Sequence, residues 1–246
     1  MSTDSGICKE LLSEIIARKL LTKDDIHKIK IELCRKYSLS KVPSDVDILS
    51  FSLDHAKLSE LQNLLRLKPV RTLSGIAVVA VMSSPYACPH GKCAYCPGGV
   101  EKGTAQSYTG KEPASLRASM YDYDPYLQTK ARLEQLETIG HSISKIELII
   151  MGGTFTARPQ DYQEYFIKSC FDAMNNFESK NLVDAQKRNE FANSRCIGLT
   201  IETRPDWCKK EHAEKMLTLG ATRVELGVQT IYDSVLKAVS RGHSVK

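Results

Sequence analysis

The chain has 246 residues, of which 42% are hydrophobic and 26% charged, the proportions of an ordinary globular protein and not of a disordered or collagen-like one. Its formal net charge of +5 suits a polyanionic partner without demanding one. No apolar run reaches the roughly 18–20 residues of a membrane span, and the opening MSTDSGICKE lacks the apolar segment of a secretory signal, so a cytoplasmic protein with no membrane association is expected.

Residues 1–72 read as a small helical region. Leu11, Leu12, Ile15, Ile16 and Leu20 recur at helical spacing. Thr22 with Asp25 three residues on resembles a capping box, opening a second helix that carries Ile26, Ile29 and Leu33. Pro43 interrupts the pattern and Ser44 is a candidate N-cap. Leu58, Leu61, Leu64 and Leu65 mark another helix, which stops near Pro69. This region carries a small excess of positive charge. It is either a solvated bundle or a docking element for nucleic acid, and composition favours the bundle.

From residue 73 the texture changes. Ile76 to Met82 is a β-branched run that ends at Ser83-Ser84-Pro85. Residues 84–115, rich in Gly, Pro, Cys, Ser and Lys, form a long loop, and a loop of that length in a compact domain is usually functional. Helices are expected at 125–139, 160–177, 209–219 and from 231. Strands are expected at 146–151, 196–201 and 223–226. Repeated βα units imply α/β architecture with parallel strands, here a partial (βα) barrel over residues 73–246. In such sheets the reactive groups gather at the C-terminal strand ends. The cysteines follow the first strand, Gly152-Gly153-Thr154 the second, Glu202-Thr203-Arg204 the third and Gly227-Val228-Gln229 the fourth. All four segments are expected at one mouth.

Three of the eight cysteines form a C-x4-C-x2-C cluster: Cys88, Cys93 and Cys96. In a cytoplasmic chain such a cluster points to metal, not to disulfides. A zinc knot wants four ligands; His90 stands cramped beside Cys88 and the next cysteine, Cys170, falls within an expected helix. A 2Fe–2S centre of this spacing also needs a fourth cysteine. Three thiolates on a 4Fe–4S cluster leave one iron open to an outside ligand. Chelation of that iron by an amino acid is the hallmark of enzymes that generate a radical from S-adenosylmethionine (SAM). This is the favoured reading, with zinc as its competitor.

The motifs that follow make the chain resemble the catalytic subunit family of Elongator, radical-SAM and acetyltransferase proteins that modify the wobble uridine of tRNA. The matching stretches are Cys88 to Gly99, Gln106 to Gly110, Glu112-Pro113, Tyr123 to Gln128, Gly140 to Ser142, Met151 to Phe155, Gly198 to Asp206, Arg223 to Gln229 and Arg241 to His243. The resemblance covers about residues 70–246. It implies an enzyme that takes SAM and acetyl-CoA: an adenosyl radical abstracts hydrogen from the acetyl methyl, and the carbon radical adds to C5 of the uridine, giving a carboxymethyl-type product. Cys88, Cys93 and Cys96 would hold the 4Fe–4S cluster, with Tyr95 near the adenine. Gly152 and Gly153 would meet the methionyl amine, and Glu202 and Gln229 the ribose or methionyl part. Lys145 matches a lysine associated with acetyl-CoA; as an isolated residue it reads as a solvated charge before a strand. Lys92, Lys102, Lys111 and Arg117 are candidates for contacts with CoA phosphates or the tRNA backbone. Tyr108 could stack on a base or be an ordinary loop tyrosine.

The family also carries an acetyltransferase domain and further barrel strands, which this sequence lacks. The chain is therefore expected to be a fragment with an unpaired sheet edge. Other Elongator-type subunits, or a second copy, are the partners the resemblance implies besides tRNA. Two competing functions are a metal-stapled scaffold that binds tRNA without radical chemistry, and a radical-SAM enzyme with another substrate.

Overall fold

The computed structural model describes residues 3–18, 22–50 and 63–245. They form two compact units, Met1–Gly75 with Glu134–Ser142, and Ile76–Leu133 with Ile143–Lys246. Among the described residues no helix is long and apolar enough to cross a membrane.

The first unit contains α1 (Thr3–Ala17), α2 (Lys23–Lys36) and α3 (Asp45–Ser50). Its start signals act as the sequence suggests. Thr22 Oγ1 accepts from Asp25 N (3.2 Å) at the head of α2. Ser44 Oγ accepts from Asp47 N (3.1 Å) while the Asp47 carboxylate accepts from Ser44 N (2.8 Å), a reciprocal box that fixes α3. The helical spacing becomes a core of Leu11, Leu12, Ile15, Ile26, Ile29, Leu33, Ile48, Leu49 and Leu65. Ile16 stays outside it, 41% exposed. Residues 63–65 are helical; Leu20, Leu58 and Leu61 lie outside the described residues.

The second unit is built on a four-stranded sheet in the order β1-β2-β3-β4. The strands are β1 (Ala77–Met82), β2 (Lys145–Met151), β3 (Arg195–Thr203) and β4 (Arg223–Leu226). Every pairing is parallel. The crossovers carry α4 (Pro113–Met120), α5 (Pro125–Thr138, whose last turn belongs to the first unit), α6 (Gln160–Asn175), α7 (Leu182–Asn189) and α8 (Lys210–Thr218), and α9 (Asp233–Ala238) follows β4. Ile146, Leu148 and Ile150 alternate along β2 and are fully buried, each such side chain stabilising the fold by roughly 1.5–3 kcal/mol. A slip in the β2–β3 pairing leaves Ile197 unpaired and 46% exposed, the geometry of a bulge. β4 is short, and its Leu226 is 45% exposed.

The four expected strands and their helices are present. Two helices were not foreseen. The supposed loop 84–115 ends early because Pro113 starts α4; proline suits the first helical turn, where its missing N–H costs nothing. The other is α7, only eight residues long, capped by Asn181 Oδ1 accepting from Asp184 N (2.9 Å). Arg117, read as a loop cation, lies on α4, and its Nη2 donates to Ala80 O of β1 (2.8 Å). It braces helix against strand.

Candidate active site at the strand C-termini

Parallel strands put the ends of β1 to β4 on one side of the sheet, and the segments that follow them line one cavity of about 440 Å³. Cys88, Tyr95 and Tyr108 come from the long loop, Gly153 and Thr154 from the β2 turn, Glu202 and Arg204 from the β3 end, and Gly227 and Gln229 from the β4 end.

The cysteine loop is fixed around its sulfurs. Cys88 Sγ lies 3.4 Å from Thr154 Oγ1. Cys93 Sγ lies 3.2 Å from His90 Nε2 and accepts from Arg241 Nη1 (3.5 Å). Cys96 Sγ accepts from Ser107 N (3.4 Å) and lies 3.4 Å from Gln106 Oε1. Burial pushes the Cys88 thiol up, against the Thr154 hydroxyl and the Arg204 charge. Burial, with Arg204 and then Arg241 alongside, lowers His90 to about 4. Arg204 itself is held by both Asp206 carboxylate oxygens (2.9 and 3.0 Å) and donates to Arg241 O (2.7 Å).

On the opposite wall Gly152 has φ +128° and Gly153 φ +87°. A Cβ on Gly152 would stand 2.2 Å from Ser83 Oγ, so only glycine permits this turn. Glu202 accepts the Tyr108 hydroxyl (2.6 Å). Burial raises the Glu202 carboxyl, and neighbouring Glu225 adds to the shift while Tyr108 and the Gly152 amide oppose it. Burial, with Glu202 behind it, pushes the Tyr108 phenol far up. The Tyr108 hydroxyl is thus committed to Glu202. Gln229 reaches the cavity from an exposed, left-handed position, φ +69°.

The remaining candidates are scattered. Lys92 is exposed and lies 3.5 Å from Glu101; Lys102 Nζ donates to Pro97 O (2.8 Å); Lys111 is exposed. All three flank the cysteine loop. Lys145 does not join them. It is the first residue of β2, six residues before the mouth, or about 20 Å along the strand. Sequence reasoning quoted Gln106, Thr154, Arg204 and Arg241 within motifs but gave them no role. Their signal is position: each stands one to three residues from a candidate ligand, a strand end or a sharp glycine turn.

The donor set fits a thiolate-bound iron–sulfur cluster. Three thiols share one loop, and two already accept N–H hydrogen bonds, the interaction that tunes cluster sulfurs. Cys170 is fully buried within α6 with its thiol donating to Pro125 O (3.8 Å), so it contributes nothing to the loop.

Sheet, mouth and cysteine loop together define a radical-SAM domain. Residues 82–246 match the model of the Radical SAM superfamily, and residues 5–73 that of the ELP3 N-terminal domain. The chain belongs to the radical SAM superfamily, and the resemblance to the Elongator catalytic subunit family is shown by these matches and by its relatives. It is 55% identical to a tRNA uridine(34) acetyltransferase of Methanocaldococcus infernus, an alignment covering 98% of this chain and 46% of that protein. It is 46% identical to Elongator complex protein 3 of Homo sapiens, covering 96% and 45%. A solved structure of archaeal Methanocaldococcus infernus Elp3, with residues 1–46 deleted, superposes with a TM-score of 0.55 at 52% identity, covering 70% of this chain and 33% of that one. The chain thus spans about half the length of the curated relatives it matches.

Proposed function

We propose that the chain carries the radical-SAM chemistry of an enzyme that modifies C5 of the wobble uridine of tRNA, with acetyl-CoA as co-substrate. The observation that carries the reading is the convergence of four post-strand segments on one cavity beside the cysteine loop. The archaeal relative is a tRNA uridine(34) acetyltransferase, which supports the substrate.

Cys88, Cys93 and Cys96 would hold a 4Fe–4S cluster, which when bound supplies the single electron that cleaves the sulfonium of SAM. The Gly152-Gly153 turn, free of Cβ atoms, lets a methionyl amine approach the backbone. The Glu202 carboxylate, oriented by Tyr108, accepts from ribose hydroxyls, and Gln229 serves the same end of SAM. Tyr95, 47% exposed at the cavity edge, offers its ring to the adenine. Lys92, Lys102 and Lys111 supply charge for phosphates at the rim. Lys145 gains no support at the mouth; an acetyl-CoA contact there would have to be made from the far end of β2.

Anaerobic reconstitution of the full chain tests the proposal. It expects about four iron and four sulfide per chain, 5′-deoxyadenosine on reduction with SAM, and a modified uridine by nucleoside mass spectrometry after incubation with tRNA and acetyl-CoA. One zinc and no cleavage would replace it with the metal-stapled scaffold. Cleavage with no change in tRNA would assign the radical to another substrate.

A further inference from the structure

The Arg241-Gly242-His243 segment follows α9 and has no place in the reading above. It nevertheless closes over the cysteine loop. Ala94 N donates to Val239 O (2.9 Å), two residues before the segment, and the Arg204 side chain donates through Nη2 to Arg241 O (2.7 Å), so hydrogen bonds tie this stretch of chain to the loop and to the β3 end. Gly242, φ +80°, lies so near the His90 ring that a Cβ there would stand 2.4 Å from His90 Cβ. The chain can pass this point only as glycine.

Arg241 is the informative residue. Its side chain is 6% exposed, as is Cys93. One nitrogen, Nη1, donates to Cys93 Sγ (3.5 Å), and Nη2 donates to Gly227 O. Its Nε is buried without a hydrogen-bond partner. Among the described residues no carboxylate forms an ion pair with it. A guanidinium buried without an anion is costly. The nearest group able to carry the missing negative charge is the Cys93 sulfur, which becomes a thiolate when it binds iron.

We infer that Arg241 is a positioning residue that tunes the cluster: it donates to the sulfur of the Cys93 ligand and so favours the reduced state. This rests on the cluster reading. The argument is electrostatic. Reduction adds negative charge to the cluster, and a fixed cation with an N–H aimed at a ligand sulfur stabilises the more negative state, raising the reduction potential. The same residue ties the β4 loop, through Gly227, to the cysteine loop.

The test uses the full chain reconstituted without oxygen, as wild type, R241K and R241Q. Iron and sulfide are counted first, and midpoint potentials then come from redox titration followed by electron paramagnetic resonance. Both variants are expected to keep the wild-type iron count. The R241Q potential falls below wild type, R241K falls between them because the charge remains, and 5′-deoxyadenosine forms more slowly at a fixed reducing potential in the same order. An unchanged potential in an iron-bearing variant overturns the inference. So does loss of iron from both variants with their circular dichroism intact, since Arg241 would then be needed to retain the cluster and not to tune it. Wild-type chain that takes up no iron fails the cluster reading itself, and is recognised before any variant is made.

Discussion

Tyr108 and Glu202 stand far apart in sequence, yet the tyrosine hydroxyl donates a 2.6 Å hydrogen bond to Glu202 Oε2. The bond joins the cysteine loop to the end of β3 and fixes a carboxylate whose environment disfavours its charge. Burial raises the Glu202 carboxyl above its usual 4.5, and Glu225 on the adjacent strand raises it further. A site carboxylate held against its own solvation sets stability against function.

The sign of that opposition can be measured. A carboxyl raised in the folded state binds more protons folded than unfolded, so stability falls as pH climbs above the unfolded value. E202Q removes this loss. Its melting temperature should exceed wild type near pH 7 by on the order of 2–4 °C, what about 1 kcal/mol is worth in a chain of this size, and the gain should vanish as pH falls to about 4.5. The same variant should bind SAM more weakly by calorimetry. Y108F removes an opposing bond, so its Glu202 should titrate at still higher pH and its SAM affinity should drop about tenfold, in line with a hydrogen bond to a charged group. A variant that melts like wild type across the whole range would remove the assignment of Glu202 as a strained group.

The Gly152 turn offers a second measurement. Its φ of +128° and the 2.2 Å approach to Ser83 Oγ make two separate demands. G152A should cost about 1–3 kcal/mol in denaturant unfolding from backbone strain, and more from the collision. G152A/S83A relieves the collision alone and should recover only part of the loss. G153A, whose Cβ would stand 3.1 Å from Gln106 Cβ, should cost less than G152A. Full recovery in the double variant would show that backbone strain contributes nothing.

These two sites also show how far the sequence carries. The positions of Gly152 and Glu202 were legible because each follows an expected strand, 146–151 and 196–201; the roles given to them rest on the family resemblance. The sheet was legible for a similar reason: Ile146 to Met151 is a short, mostly apolar run that stops at the Gly152-Gly153 turn. The tie from Tyr108 to Glu202 was not, since the partners of a loop residue are set by tertiary folding. Nor was the strap through Arg241, which depends on the chain returning past β4 to the cysteine loop. α4 was hidden because Gly and Pro dominate the stretch before it, and α7 because eight residues carry little periodicity. Lys145, which the resemblance ties to acetyl-CoA, stands as expected at the start of β2, away from the mouth.

Lysines at the rim give a prediction about the polyanion. If Lys111 and Lys102 meet tRNA phosphates, K111E and K102E should each lower the salt slope of tRNA binding by about 1 and weaken affinity evenly across tRNA sequences. K145A, about 20 Å away along β2, should leave SAM cleavage at wild-type rate. Lys9 and Lys28 are exposed on the first unit, while Lys19 lies outside the described residues. Charge reversal at Lys9 and Lys28 would reduce binding if that unit docks tRNA. Gel shifts from about 50 to 200 mM salt resolve all of these, and slopes unchanged in every variant would return the lysines to a solvated role.

Glu112 closes the cysteine loop at its far end. One carboxylate oxygen accepts from Thr109 N (2.8 Å) and Thr109 Oγ1 (2.9 Å), the other from Gly110 N (3.1 Å). The Thr109 amide is the chief cause that holds this carboxyl down to about 2, below its usual 4.5. A carboxyl lowered in the folded state contributes stability that is present above the unfolded value and lost as pH falls through the folded one. The turn before α4 should therefore stay closed at neutral pH and loosen between about 4.5 and 2. Carbon-detected NMR of the Glu112 carboxyl should show a midpoint near 2, with hydrogen-exchange protection factors at Thr109 and Gly110, taken relative to the intrinsic rate at each pH, falling over the same range. E112Q, which lacks the charge, should show low protection at those two amides already at pH 7, with no further loss on acidification. An ordinary midpoint near 4.5 would mean that the hydrogen bonds to Glu112 do not persist in solution, and the loop would then need another anchor beside Pro113.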